Sequence, residues 1–481
     1  MLAPGIAARR ARLLLCAAVA GCAPPRTPAD LVFDHVTVVD TRTGALLADQ
    51  SLAVHAGRIV SIAAAGRVRF VATATRVDAS GRYAVPGLWD AHTHVMQEDT
   101  VITIRQLAPL ALAAGVTHIR DMSSSLEARR AYMAWARGDG AAAPEAISPG
   151  PALWGIRLPY GDPRRQLVVT TRAAMVQALD SLARDSVDFV KVYSGFGPAA
   201  LATLDTLARE RGLALSGHVQ EGITLAQHAA AGFRKIEHVD FTTFGACVDD
   251  PASYFARVIQ ARFGGSGETV PAVYVAFGAA VTPDVCLAAL TDVQRAGMAF
   301  TPTLAVSFAT PADVAATDTV ALPPMLRADC ARYLAEFSRT APAEQAAFQQ
   351  VGLMLTGLAR RAGVRILAGT DGPTFCAAPG VSLPYELQLL RRAGLSPLEV
   401  LQAATLLPST VLLPSRRLGV LDTGYEAHVL LLRGNPLTDV SAYRMPAGLY
   451  TRGRWFDEET LSRLRAEAVA YTGPLARPAA P

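Results

Sequence analysis

The chain has 481 residues, of which 51% are hydrophobic and 18% charged, and its formal net charge is +4. Abundant Leu, Val and Phe at so low a net charge exclude a disordered chain, and 45 basic against 41 acidic residues leave no excess for binding nucleic acid. The length suits one large barrel with a small satellite domain, or two to three smaller units. All but two of the basic residues are arginine, so Lys191 and Lys235 each call for an explanation.

Residues 1–21 carry Arg9, Arg10 and Arg12 ahead of an apolar run from Leu13 to Gly21. That run is too short to span a bilayer and has the layout of a secretory signal. Val19-Ala20-Gly21-Cys22 resembles the lipobox of bacterial lipoproteins, which implies cleavage before Cys22 and lipidation of that cysteine. A plain signal peptide cut elsewhere is the alternative. Residues 22–30, rich in proline, read as an extended tether. The expected protein is exported and anchored to a bacterial envelope membrane by lipid, because losing three arginines leaves it almost neutral. Cys247, Cys286, Cys330 and Cys376 then lie where disulfides form, with three pairings open and no CxxC spacing for a thiolate metal site.

From residue 31 to 82, β-branched runs alternate with Gly, Asp and Thr turns, a strand-after-strand texture. From residue 83 to 414, short apolar runs alternate with longer helical ones, as in a parallel β/α fold. Eight strands are predicted: Tyr83–Asp90, Val116–Asp121, Ala146–Leu153, Val187–Tyr193, Leu213–His218, Lys235–Asp240, Ala299–Val306 and Arg365–Asp371. Helices are predicted at Val101–Ala114, Arg172–Arg184, Ala199–Arg211 and Ala343–Ala362. Thr242–Arg295 and Ser307–Thr340 are too long for simple connections and are expected to rise above one barrel face. Strand texture returns over residues 415–460. The expected fold is α/β: a (β/α)8 TIM-type barrel over 83–414, beside a small β-sandwich built from 31–82 and 415–460.

His92 and His94 end the first barrel strand, and on an extended chain i and i+2 face the same side. Two imidazoles so placed suit one cation. Lys191, His218, His238 and Asp371 end later strands, and in a β/α barrel such ends share one catalytic face.

PGLWDAHTH, AAGVTHIRDM, VDFVKVYSG, LSGHVQEGITLAQHAAAGFRKIEHVD, LAGTDG and LGVLDTGYEAHVLLLRGNPLTDV closely resemble the metal-dependent amidohydrolase superfamily, in its imidazolonepropionase-like and prolidase-like branch. The resemblance runs from about residue 31 to 454. It implies two divalent metal ions, zinc by preference: His92 and His94 on one, His218 and His238 on the other, and Asp371 on the first. Lys191 is implied to bridge both as a carbamate. The implied chemistry is hydrolysis of amide-type C–N bonds, in dipeptides, N-acyl amino acids or cyclic amides, with Asp371 moving the proton of a metal-activated water.

Tyr193, Trp154 and Arg157 are candidate contacts for the small-molecule substrate, with Tyr160 in the loop of the last two; a packed barrel tyrosine is the rival for Tyr193 and an ordinary surface loop for the others. Relatives often carry Gly-Gly-His after the third strand; here it is absent. Glu426-Ala427-His428 replaces their usual Ala-Asp, which is expected to affect packing only. His118 is read as structural, and His228, His35, His55 and His428 are given no role. A lactonase or esterase on the same metals, or a non-catalytic surface binding protein, are the competing readings. No nucleic-acid partner is expected, and self-association into a homo-oligomer stays open.

Overall fold

A computed structural model describes residues 26–471, apart from 97–100, 139–140, 158–161, 262–266, 317–321 and 323. The signal segment, Cys22 and Tyr160 therefore lie outside the described residues. Among these, no single helix is long and apolar enough to cross a membrane.

The N-terminal strands β1 (Leu31–Val39), β2 (Leu46–His55), β3 (Arg58–Ala64), β4 (Thr75–Asp78) and β5 (Tyr83–Pro86) belong to one mixed sheet. Next come β6 (Leu88–Thr93), β7 (Val116–Asp121) and β8 (Glu145–Ile147), a parallel three-stranded sheet. They are followed by β9 (Ala152–Trp154), β10 (Gln166–Val168), β11 (Val190–Val192), β12 (Leu215–Gly217), β13 (Phe233–Glu237), β14 (Ala299–Thr301) and β15 (Arg365–Ile366). These seven are parallel, in the spatial order β10-β9-β11-β12-β13-β14-β15. Finally β16 (Val429–Leu432), β17 (Pro446–Thr451) and β18 (Arg454–Asp457) return to the first sheet, with β16 antiparallel to β5.

Several predicted boundaries move. The expected first barrel strand is two strands: Tyr83–Pro86 pairs with β1 and β16, and only Leu88–Thr93 joins β7. Gly87 separates them; a Cβ there would stand 2.4 Å from the Thr117 side chain. The predicted Ala146–Leu153 strand is broken into β8 and β9 around Gly150, whose φ is +66°, and Pro151. Ala299–Val306 ends early because Thr303 is left-handed, φ +50°, and a short helix starts at Leu304. The expected β-sandwich is one branched eight-stranded sheet. Its long strand β1 pairs β4 along residues 31–34 and β5 at 37–38 on the same edge, so no second sheet separates. A helix at Glu458–Ala470, absent from the sequence reading, is the last element among the described residues; Gln106 donates to Ala468 O at 2.9 Å.

Side-chain periodicity explains the layers. In Arg172–Arg184, Met175, Ala178, Leu179 and Leu182 make one buried stripe, and Thr171 caps the helix by accepting from Ala174 N–H. Burying one such leucine stabilises by roughly 1.5–3 kcal/mol. In β16 alternation sorts the faces: Leu430 and Leu432 enter the main core, Val429 and Leu431 a smaller core with Phe33 and Tyr450. The two long insertions are helical, at Pro251–Ile259, Val270–Ala280, Pro283–Arg295, Pro311–Ala316 and Pro324–Phe337. Cys247 pairs with Cys286 inside the first, and Cys330 of the second pairs with Cys376, five residues beyond Asp371.

Candidate active site

β6 delivers His92, fully buried, and His94 follows immediately after it. β11 carries Lys191, 1% exposed, while His218 and His238 directly follow β12 and β13. The segment after β15 folds back on β6: Ala91 N–H donates to Ala368 O at 2.9 Å, Asp371 N–H to His92 O at 2.7 Å, and His94 N–H to Gly372 O at 2.7 Å. Those bonds hang Asp371 over the two histidines.

The carboxylate lies 3.3 Å from His92 Nε2 and 2.9 Å from His94 Nε2 through Oδ1, and 3.8 Å from His238 Nδ1 through Oδ2. The His92 and His238 ring centroids are 4.5 Å apart, and His238 lies 4.7 Å from His218. His218 stacks on Tyr193 at 4.2 Å, and Tyr193 stacks on Trp154 at 3.9 Å with 14° between the planes. Lys191 Nζ is 6.0 Å from the Tyr193 ring centre. The structure thus gathers His92, His94, Lys191, His218, His238, Asp371, Tyr193 and Trp154. Arg157 is exposed.

Local backbone is strained here. His238 and Asp371 are left-handed, with φ of +68° and +57°, and Thr303 at +50° hydrogen-bonds His238 Nδ1 at 2.8 Å. Such conformations cost on the order of 1–3 kcal/mol each and gather at functional sites. Gly217, at φ +143°, brings β12 against β11; a Cβ there would meet Val192 O at 2.0 Å.

Sequence reasoning missed Glu237 and Arg120. Glu237 is fully buried; its Oε2 lies 2.8 Å from His92 Nδ1 and its Oε1 accepts from Arg120 Nη1 at 2.9 Å and Ser216 Oγ at 3.1 Å. Burial pushes its carboxyl up, but Arg120 and His92 hold it well below the usual range. An ionised carboxylate only accepts, so His92 Nδ1 carries the hydrogen, and in the neutral imidazole Nε2 presents its lone pair to the site. The signal was available: Glu237 sits beside His238, and Arg120 is two residues past His118 on β7.

Burial lowers the Lys191 amine to about 8, against the pull of Glu237 and Asp371. It also holds His218 well below its ordinary range and His238 at about 3, with Lys191 adding to both. Burial opposes ionisation of Asp371, yet His92 and His238 keep its carboxyl well below the ordinary value. Buried His92 Nε2 and His94 Nδ1 lack hydrogen-bond partners among the described residues. Lone pairs, one carboxylate and one poised amine around a common point fit a cation-binding site, and His92, His238 and Asp371 offer ligand atoms within 4.8 Å of one another.

Strand-end histidines, a carboxylate and a buried lysine thus converge at the ends of parallel strands. The chain belongs to the amidohydrolase family, whose pattern matches residues 83–455. Ochratoxinase of Aspergillus niger is 41% identical over 88 residues, 18% of this chain and 17% of that enzyme, so the match spans under a fifth of the relative. Bottromycin amidohydrolase superposes with a TM-score of 0.66 at 22% identity, covering 91% of this chain and 90% of the other. A prolidase solved with N-methylphosphonate-L-proline gives 0.62 at 20% identity, over 89% and 99%.

Proposed function

We propose that the protein hydrolyses amide-type C–N bonds of dipeptides, N-acyl amino acids or cyclic amides at a centre of two divalent metals. The convergence of Asp371 on His92 and His94 beside the buried Lys191 amine carries this reading. His92, His94 and Asp371 would hold one ion, and His218 and His238 the other. Imidazole and carboxylate donors favour zinc. Lys191 would bridge them: its neutral amine bonds to the carbon of carbon dioxide and releases a proton, and its lowered pKa makes that form available. Bound metals supply Lewis acidity, which eases deprotonation of water and polarises a carbonyl.

Asp371 takes the proton as the water oxygen bonds to the carbonyl carbon, then delivers it to the departing nitrogen as the C–N bond breaks. The stacked Trp154 and Tyr193 rings form an aromatic wall for an apolar substrate side chain, and Arg157 is a partner for a substrate carboxylate. The bonds of Ala91 N–H to Ala368 O and of Asp371 N–H to His92 O, which join β6 to the segment after β15, support a (β/α)8 barrel in which β8 and β9 are halves of one strand. The two cystine pairs favour export, in keeping with a lipid anchor at Cys22.

The test is elemental analysis of the protein beside a panel of dipeptides and N-acyl amino acids. Lys191→Ala should shed two ions per chain and most turnover, with bicarbonate giving no rescue. A protein whose metal content is unchanged by Lys191→Ala, or that releases amine from no member of the panel, would overturn the reading.

A further inference from the structure

His118, Glu145 and His428 lie 27 to 310 residues apart in sequence, and the catalytic reading uses none of them. His118 faces the same way as Arg120 but one layer nearer the start of β7, and its register partner is Glu145, the first residue of β8. His428 immediately precedes β16, so the eight-stranded sheet supplies the third member.

The three are assembled as ligands are. His428 Nδ1 is tied to Thr451 Oγ1 at 2.7 Å and His118 Nδ1 to Thr117 Oγ1 at 3.0 Å. Both Nε2 atoms then point at one carboxylate oxygen, Glu145 Oε1, at 3.6 Å from His428 and 3.9 Å from His118. Outer nitrogens held by polar neighbours are the usual support of metal-bound imidazoles. Arg416 Nη1 occupies the other oxygen, Oε2, at 2.7 Å and is itself paired with Glu426, so Oε1 is left for the cluster. His118 is 2% exposed, and its Nε2 has no hydrogen-bond partner among the described residues. Stacking on Trp89 at 4.6 Å fixes its ring. Burial keeps both imidazoles neutral at pH 7, so each presents a lone pair.

We propose that His118, Glu145 and His428 form a second metal site, holding one divalent transition-metal ion that joins the parallel strands to the eight-stranded sheet. Ligands about 2.0–2.1 Å from a tetrahedral ion stand roughly 3.3 Å apart, so the two nitrogen–oxygen separations need close by only a few tenths of an ångström, and all three ligand atoms lie within 4.8 Å of one another. Water completes the coordination, and two imidazoles with one carboxylate favour zinc. The ion is structural: it satisfies His118 Nε2 and crosslinks β7, β8 and the turn before β16.

The experiment compares zinc per chain, after dialysis against zinc and then buffer, in the wild type, His428→Gln, His118→Gln and Lys191→Ala. His428→Gln and His118→Gln should each lose one equivalent and keep turnover within about twofold. Lys191→Ala should keep one equivalent that supports the spectrum of tetrahedral cobalt when cobalt replaces zinc. Equal zinc in the wild type and both histidine variants would overturn the site. So would a folded Lys191→Ala protein that holds no zinc and gives no cobalt spectrum. Loss of turnover in Lys191→Ala with its last ion retained bears on the catalytic centre alone.

Discussion

His92 donates its Nδ1 hydrogen to Glu237 across 2.8 Å, and that bond decides which nitrogen of His92 faces Asp371. The same glutamate neutralises buried Arg120, so one carboxylate orients a ligand and compensates a cation. Glu237→Gln keeps the size but removes the charge, leaving Arg120 unpaired and the His92 tautomer free to invert. Metal affinity should fall about 10–100-fold, read by competition with a chelator. An unchanged affinity would leave Glu237 as packing only.

Asp371→Asn retains shape and one oxygen but cannot accept a proton. Turnover should fall by roughly 10²–10⁴ while circular dichroism and thermal midpoint stay near those of the wild type. A variant as fast as the wild type would remove Asp371 from the proton-transfer role.

Gly217 and Gly222 both have positive φ, yet only the first is crowded: a Cβ at Gly217 meets Val192 O at 2.0 Å, whereas nothing lies within 4 Å at Gly222. Gly217→Ala should cost about 3 kcal/mol or more in denaturant unfolding and displace His218, weakening metal retention. Gly222→Ala should cost about 1 kcal/mol, the left-handed penalty alone. Equal losses would show that close approach to β11 is not what demands glycine.

Glu386 is fully buried; its Oε2 accepts from Ala305 N–H at 2.6 Å, and its Oε1 has no partner among the described residues. Burial raises its carboxyl from 4.5 to about 8. The folded protein therefore keeps this proton between those values while the unfolded chain releases it. Stability from this residue is present below the unfolded pKa and is lost as pH climbs toward 8, by at most about 1.4 kcal/mol per pH unit. Glu386→Gln has no proton to lose, so its thermal midpoint relative to the wild type should rise between pH 5 and pH 8. A constant difference would show that Glu386 is ionised in the fold.

The parallel strand and helix alternation, the strand-end histidines, Lys191 and Asp371 were legible because each is a local pattern: period-2 alternation, amphipathic stripes, an HxH pair. Residues 172–184 and 116–121 match their predicted bounds for that reason. Short strands such as Arg365–Ile366 were overextended, because buried polar residues after a strand still read as strand while their backbone turns to serve the site.

Composition and spacing singled out a scarce lysine, strand-end imidazoles and a late aspartate as one candidate site; the metal ligands and the class of chemistry were what the resemblance of those motifs to the amidohydrolases implied. Only tertiary structure decided that Glu237 and Arg120 stand behind His92, that Cys330 joins Cys376, and that His118 meets His428. Those pairs come from different elements of the fold, 46 to 310 residues apart, and no local periodicity encodes them. Their partners are chosen by how distant elements pack, where a buried charge or lone pair must find its complement or raise the free energy of the fold.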